Sequence, residues 1–134
     1  MAVLIDTNIA IHLRDGDLEV AARMDGLAEP PFISIVTLVE LEGGVHSKPA
    51  LAAKRRAALD ILLGGVVVLP FDDADARAYA LIVSALGYSR PLILDRMIAA
   101  TALVHDLLLI TMNGADFRDV PGLKLEVWEL PRAA

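Results

Sequence analysis

The stretch Val3-Leu4-Ile5-Asp6-Thr7-Asn8 decides how the chain begins to fold. Its first three residues form a short apolar run, which is typical of a buried strand. Asp6 and Thr7 are good helix-capping residues, because their side-chain oxygens accept hydrogen bonds from backbone N–H groups that lack a partner within the helix. The stretch therefore predicts a buried strand that passes directly into a helix.

The same alternation of strand and helix continues along the chain. Strands that are apolar throughout are typical of a parallel sheet covered by helices on both faces, so we predict an α/β fold. The last predicted strand alternates apolar and polar residues, which is typical of a sheet edge. The predicted strands are residues 32–35, 66–69, 107–110 and 125–130, and the predicted helices are residues 17–27, 36–45, 49–64, 72–86 and 93–103.

Length and composition place the chain among single folded domains. Its 134 residues suffice for one core, and 56% hydrophobic against 22% charged residues exclude a disordered chain. The absence of cysteine excludes disulfides and thiolate metal sites and fits a reducing cytosol. No apolar run is long enough for a membrane helix, and we find no signal-peptide pattern. We therefore expect a cytoplasmic domain over residues 1–130 with a short tail at 131–134.

Four acidic residues are predicted near the carboxyl ends of strands, where open parallel sheets bind ligands. Asp6 closes the first strand, Glu40 lies about a turn into the helix after the second, Asp116 follows the fourth, and Asp95 begins a nearby helix. Helix caps at Asp6 and Asp95 and a turn at Asp116 are structural alternatives. Glu40 lies among aliphatic neighbours, where a carboxylate is costly unless it is paired or binds a cation. Convergence of all four favours a shared site.

Such a cluster requires protonation or a cation, because two carboxylates about 4 Å apart repel by roughly 4 kcal/mol at an effective dielectric of 20. No lysine or arginine stands beside Asp6 or Glu40, and Arg96, next to Asp95, is the one close internal cation. Oxygen ligands of this kind favour Mg²⁺ or Mn²⁺ over zinc, and the three histidines show no metal-ligand spacing. The residues therefore predict a site for a hard divalent cation.

Four motifs run in order along nearly the whole chain, at residues 6–8, 37–41, 95–102 and 111–117. In combination they resemble those of PIN-domain ribonucleases, and most closely those of VapC-type toxins of bacterial toxin-antitoxin pairs. The resemblance implies one PIN-like domain with about five strands in the order 3-2-1-4-5. It implies that four acids hold the metal and act in catalysis, namely Asp6, Glu40, Asp95 and Asp116. The supporting polar groups that it implies are Thr7, Asn8, Thr111 and Asn113.

The resemblance implies a metal-dependent endoribonuclease, with Mg²⁺ or its substitute Mn²⁺ as cofactor and transfer or ribosomal RNA as substrate. Some members carry Asp where Asn113 stands, so a second ion would bind weakly or only together with substrate. The formal charge of −6 argues against a broad basic surface. Five cations fit either a groove that contacts RNA phosphates or an ordinary solvated surface, namely Lys48, Lys54, Arg55, Arg56 and Arg90.

An apolar interaction surface is expected, because a domain of this length buries only about two thirds of its unfolded surface. The resemblance implies a homodimer and a cognate antitoxin, with which the toxin forms a hetero-oligomer. Residues 36–45 and the amphipathic helix 17–27 are candidates for a groove that accepts a partner helix. Tyr79, Ile82 and Leu86 are candidates for the dimer contact.

Three other functions are alternatives to an endoribonuclease. A receiver-like, Mg²⁺-binding signalling domain needs an Asp at the end of its middle strand, but residues 66–69 are followed by Pro70 and Phe71. A haloacid-dehalogenase-like phosphatase needs two Asp separated by one residue, and Asn8 occupies the second place. A PIN module that only binds RNA or a protein stays open because of Asn113.

Overall fold

Five strands form one parallel sheet in a computed structural model that describes residues 1–129. The strands are β1 (Val3–Ile5), β2 (Phe32–Ser34), β3 (Val67–Leu69), β4 (Leu108–Thr111) and β5 (Leu125–Val127). Their order is β3-β2-β1-β4-β5, and every pairing is parallel. The α/β class and the strand order are confirmed.

Six α-helices connect these strands within the described residues. Four of them begin behind a residue whose side-chain oxygen accepts a backbone N–H, namely Asp6, Asp17, Ser34 and Asp72. Short 3₁₀ turns occur at Pro49–Leu51, Arg90–Leu92 and Gly114–Asp116. The helices are α1 (Thr7–Arg14), α2 (Leu18–Asp25), α3 (Ile35–His46), α4 (Ala52–Leu63), α5 (Asp73–Leu86) and α6 (Ile93–His105).

Helices cover both faces of the sheet, so the core has two parts. Ile5 packs on one face with residues of α1 to α4, such as Leu41. Leu4 points to the other face and packs with α5 and α6, where Ile98 and Phe117 are fully buried. Alternation along β1 therefore supplies both halves of the core.

Two strand predictions meet the structure differently. The predicted strand at residues 66–69 is confirmed by β3, but its predicted burial is wrong, because within the described residues β3 pairs only with β2 and Val67 is 46% exposed. The prediction of an edge strand near the C-terminus is confirmed by β5, which pairs only with β4. Residue 130 and the predicted tail at 131–134 lie outside the described residues.

The sheet order places a ligand-binding crevice beside β1. Successive crossovers run from β1 outward to β2 and β3, and the chain then returns to β4 on the other side of β1. In parallel sheets such a change of direction opens a crevice at the carboxyl ends of the strands. Asp6 follows β1 and Thr111 ends β4, so both lie at this crevice. Within residues 1–129, no helix combines the length and hydrophobicity needed to cross a membrane.

Candidate active site

Asp6 lies at the crevice between β1 and β4 and is almost completely buried. Its Oδ1 accepts a hydrogen bond from the backbone N–H of Ile9 at 3.0 Å, and its Oδ2 accepts one from the Thr111 hydroxyl. Burial raises the pKa of Asp6, and the charge of Glu40 raises it further. The two hydrogen bonds lower the pKa, but burial outweighs them. The predicted capping role is confirmed, and Asp6 also faces the other acids.

A chain of two hydroxyl groups holds Glu40. The Thr7 hydroxyl donates to Glu40 Oε1 at 2.7 Å and lies 3.0 Å from the hydroxyl of Thr37. Because a hydroxyl has only one proton, Thr37 donates to Thr7 in this arrangement. Thr37 is fully buried in α3, one turn before Glu40. Thr37 thus positions Thr7, which positions Glu40, a role that the sequence alone does not indicate.

Asp95 is the third residue of α6 and faces the other three acids. Its pKa is raised to about 6, first by burial and then by the negative charges of Asp116, Asp6 and Glu40. The predicted helix cap at Asp95 is wrong, since α6 begins two residues earlier, after Leu92. Four acids from distant parts of the sequence therefore act on one another electrostatically.

Asp116 lies in the 3₁₀ turn after β4. The side-chain amide of Asn113 donates to its carboxylate, and the backbone N–H of Asn113 donates to the Thr111 hydroxyl at 2.9 Å. Thr111 therefore links this turn to Asp6. Asn8, the remaining supporting residue, is exposed, and its side chain makes no hydrogen bond within residues 1–129.

Gly114 allows the turn that carries Asp116 to pack closely. A Cβ at Gly114 would lie 2.7 Å from Val127 Cγ2 and 2.9 Å from Arg118 Nη2. The Arg118 side chain therefore lies against this turn, a position that the sequence does not indicate. The close approach of Arg118 to Gly114 reveals this position, and no sequence pattern indicates that contact.

The negative charge of the site has no cationic partner in the described part of the chain. None of the ion pairs there includes Asp6, Glu40, Asp95 or Asp116. The expected internal counter-charge, Arg96, instead donates to the Gly87 carbonyl oxygen at 2.7 Å. The site therefore keeps the repulsion that a cation would relieve.

The donor groups fit a hard, hydrated dication. No group of three Asp, Glu or His side chains within residues 1–129 is arranged to hold one ion directly. Mg²⁺, however, keeps several waters and binds only one or two protein carboxylates directly. Carboxylates without a counter-charge, supported by threonine hydroxyls, suit such an ion better than a softer metal. The structure thus fits partly water-mediated binding.

The five candidate RNA-contacting cations differ in their surroundings. Arg56 donates to Glu42 at 2.6 Å and to Asp60 at 2.8 Å, so two carboxylates already neutralise it. Arg55 donates to the Gly44 carbonyl oxygen at 2.8 Å. The other three side chains are exposed and make no ion pair within residues 1–129, namely Lys48, Lys54 and Arg90.

Two of the predicted apolar surfaces are buried, and a third is present. The region 36–45 mostly belongs to the core, because Val36, Leu41 and Val45 are buried. Likewise, Ile82 is only 2% exposed, so the predicted dimer stripe on α5 packs inward. Helix α2, in contrast, lines an apolar cavity of about 590 Å³ that α4 also borders. A cavity beside α2 is therefore present, whereas its occupation by a partner helix stays a prediction.

Comparison with known proteins identifies the family. The PIN domain family model matches residues 3–123. Ribonuclease VapC1 of Rickettsia felis is 32% identical over 93% of this chain and 95% of its own length. The tRNA(fMet)-specific endonuclease VapC of Shigella flexneri is 31% identical over 93% and 96%. The structure of DNA-bound VapBC from Salmonella typhimurium matches 96% of this chain and 98% of its own with a TM-score of 0.84 at 26% identity. The chain therefore belongs to the PIN domain family, in its VapC group.

Proposed function

We propose that the protein is a metal-dependent endoribonuclease and the toxin of a type II toxin-antitoxin pair, acting in the cytoplasm. The observation that carries the proposal is the gathering of four acids at the sheet crevice, where Thr111 holds Asp6, Thr7 holds Glu40, and the charges of Asp6, Glu40 and Asp116 raise the pKa of Asp95. Relatives that match nearly the full length are named ribonucleases, which supports the same reaction. Both lines lead to hydrolysis of RNA phosphodiester bonds.

In the proposed reaction, the residues of this chain bind the metal ion and orient the attacking water. Asp6, Glu40 and Asp95 would hold Mg²⁺, or Mn²⁺ in its place, directly or through its waters. When bound, the ion would supply Lewis acidity and lower the pKa of a bound water. Asp116, fixed by Asn113, orients the attacking water or holds a second ion once substrate phosphate is bound. Asn8 is exposed at the start of α1 and faces the substrate side of the crevice in this proposal.

Transfer RNA is the first substrate class to test, because a full-length relative is named a tRNA(fMet)-specific endonuclease. Ribosomal RNA is the second. The exposed Lys48, Lys54 and Arg90 are proposed to contact RNA phosphates, and Arg55 and Arg56 to support this surface. Only 4% of the residues are aromatic, so base stacking contributes little and RNA shape selects the target.

The proposed inhibitor is a cognate antitoxin that binds the apolar cavity beside α2. This cavity of about 590 Å³ is bordered by Leu13, Met24, Leu27 and Leu62, which favours an apolar protein segment. The solved structure with a TM-score of 0.84 is of a VapBC complex. We propose a homodimer of the toxin that assembles with the antitoxin into a hetero-oligomer.

Cleavage assays decide between this function and a PIN module that only binds. Purified protein is incubated with transfer or ribosomal RNA in chelator, Mg²⁺ or Mn²⁺, and the RNA ends are sequenced. We expect defined cuts with either metal, none in chelator, and none with Asp6→Asn. RNA binding without cuts under every metal condition would instead establish the non-catalytic alternative, which Asn113 and the lack of a closed three-acid group favour.

A further inference from the structure

A second, smaller cavity lies at the far end of α1 from the acidic crevice. It has a volume of about 190 Å³ and lies between the last turn of α1 and the first half of α4. Over the eight residues of α1, the helix rise separates it from Asp6 by about 12 Å. The residues that line it are Arg14, Asp15, Leu51, Lys54, Arg55 and Ala58.

Arg14 contributes a buried cation to this cavity. Its side chain is only 4% exposed, and its Nε donates to Asp15 Oδ1 at 3.0 Å. Within residues 1–129, neither Nη1 nor Nη2 makes a side-chain hydrogen bond, and neither is a buried nitrogen without a partner, so both reach solvent. Gly44 makes room for the guanidinium, since a Cβ there would lie 3.0 Å from Nη1. A buried guanidinium with two unused nitrogens is suited to bidentate binding of a planar anion.

The surrounding charges also favour an anion. Lys54 is exposed at the cavity, and Arg55 lines it while donating to Gly44 and Ser47. Asp15 is the single acidic side chain among the lining residues, and it is half exposed. Three cations against one carboxylate leave the cavity positive, although the protein as a whole is negative.

The two cavities adjoin each other. Arg14 and Ala58 line both the small cavity and the apolar cavity beside α2. A protein segment whose apolar side chains contact Leu13 and Met24 therefore also reaches the Arg14 guanidinium. RNA offers no aliphatic groups to such walls, so a protein carboxylate fits this pair of cavities better than an RNA phosphate does.

We propose that the Arg14 cavity binds an Asp or Glu side chain of the partner protein whose apolar side chains fill the cavity beside α2. The inference rests on the proposed function, because the partner is the antitoxin. It adds a charged contact remote from the acidic crevice, and so a second determinant of which partner binds.

The test measures affinity between the purified protein and the cognate antitoxin, produced separately. We expect Arg14→Gln to raise Kd at least about 10-fold, an effect that shrinks in high salt. Arg14→Lys keeps the charge but loses the bidentate geometry, so its Kd is expected in between. Lys54→Gln, at an exposed position, should raise Kd by a smaller factor even if the Arg14 variant is unstable. Arg77→Gln, exposed on α5, is the matched control and should leave Kd unchanged.

Substitutions in the partner complete the test. Each acidic residue of the partner is changed in turn to the corresponding amide. One such change should weaken binding as much as Arg14→Gln does, and combining the two substitutions should weaken it no further. Equal Kd values for the wild type, Arg14→Gln and Lys54→Gln would overturn the inference while the toxin function stands. A higher KM for RNA cleavage with an unchanged partner Kd would also overturn it, in favour of an RNA phosphate. No complex with the wild type would overturn both the proposed antitoxin and this contact, whereas RNA cleavage is measured independently.

Discussion

The hydroxyl of Thr111 donates a hydrogen bond to the carboxylate of Asp6, 105 residues earlier in the chain. Parallel pairing of β1 with β4, with Ile5 opposite Ile110, brings the two side chains together. The second carboxylate oxygen accepts the backbone N–H of Ile9. Asp6 is therefore held in one orientation by the fold itself, so little ordering remains for cation binding.

Asp6→Asn should abolish cleavage without unfolding the protein. Asparagine caps helices as well as aspartate does, and the substitution removes one of four repelling charges. We expect RNA cleavage to fall at least about 100-fold, since a bound metal contributes several kcal/mol, with a Tm equal to or above that of the wild type. Gel-based cleavage and thermal unfolding measure the two. Asp73→Asn, exposed at the start of α5, is the control and should keep full activity. Loss of fold in Asp6→Asn would show that this acid is chiefly structural.

The stability of the metal-free protein should depend on Asp95. Its folded pKa of about 6 exceeds the ordinary value of 3.8, so the folded state holds the proton more tightly. The resulting stability is complete below about pH 4 and is lost as pH rises through 6. At pH 7, Asp95→Asn should be more stable than the wild type by about 1 to 2 kcal/mol, because solvent screens part of the effect. Denaturant unfolding in chelator from pH 4 to 8 measures this, and parallel curves would contradict it.

Mn²⁺ should stabilise the protein in proportion to site occupancy. A ligand at 100 times its Kd adds about 2.7 kcal/mol to the free energy of unfolding if it binds only the folded state. We expect Tm to rise with Mn²⁺ at pH 7.5, to rise less at pH 5, where Asp95 is protonated, and to stay constant in Asp95→Asn. Na⁺ at matched ionic strength is the control. The same Tm increase in Asp95→Asn would place the ion elsewhere.

Thr37→Val should lower cleavage through Glu40. Valine keeps the volume but cannot donate to Thr7, whose hydroxyl holds Glu40 at 2.7 Å. Loss of one buried hydrogen bond corresponds to about 1 kcal/mol, and we expect kcat to fall about 5-fold with KM unchanged. Thr37→Ser restores the hydroxyl and should recover most of the rate. A purely structural role would lower Tm in the valine variant and leave kcat unchanged.

Gly114→Ala should displace the turn that carries Asp116. The new Cβ would lie 2.7 Å from Val127 Cγ2, so the turn, the strand or the Val127 side chain must move. We expect about 10-fold slower cleavage and a lower Tm, as overpacking costs about 1 to 3 kcal/mol. Gly43→Ala is a matched control, because a Cβ at Gly43 meets no atom within 4 Å and alanine favours the helix. Adding Val127→Ala to the Gly114→Ala variant should restore part of the activity.

Local sequence patterns predicted the elements well, because strand and cap signals are short-range. The step from β1 into α1 depends on Val3–Ile5 and on Asp6 alone. The strand order came only through the family resemblance. The exposure of Val67 was missed because its apolar run looks the same at a sheet edge as at the centre, and only pairing decides which it is.

Only those site residues that stand next to strand ends could be predicted from the sequence. The position of Asp6 after β1 was enough to propose it, but the role of Thr37 depends on a contact with Thr7 across 30 residues. Arg96 was the wrong counter-charge for Asp95, because adjacent residues on a helix point in different directions. Its guanidinium reaches Gly87 instead.

The central position of β1 has a consequence for synthesis. Strand β1 is synthesised before the other strands and gains its second neighbour only when β4, residues 108–111, has been made. Asp116 is synthesised after β4. Chains are made from the N-terminus, so a growing polypeptide on the ribosome lacks the last carboxylate of the crevice until residue 116 has been made. The four-acid crevice therefore cannot assemble before β4 and the turn behind it have been synthesised.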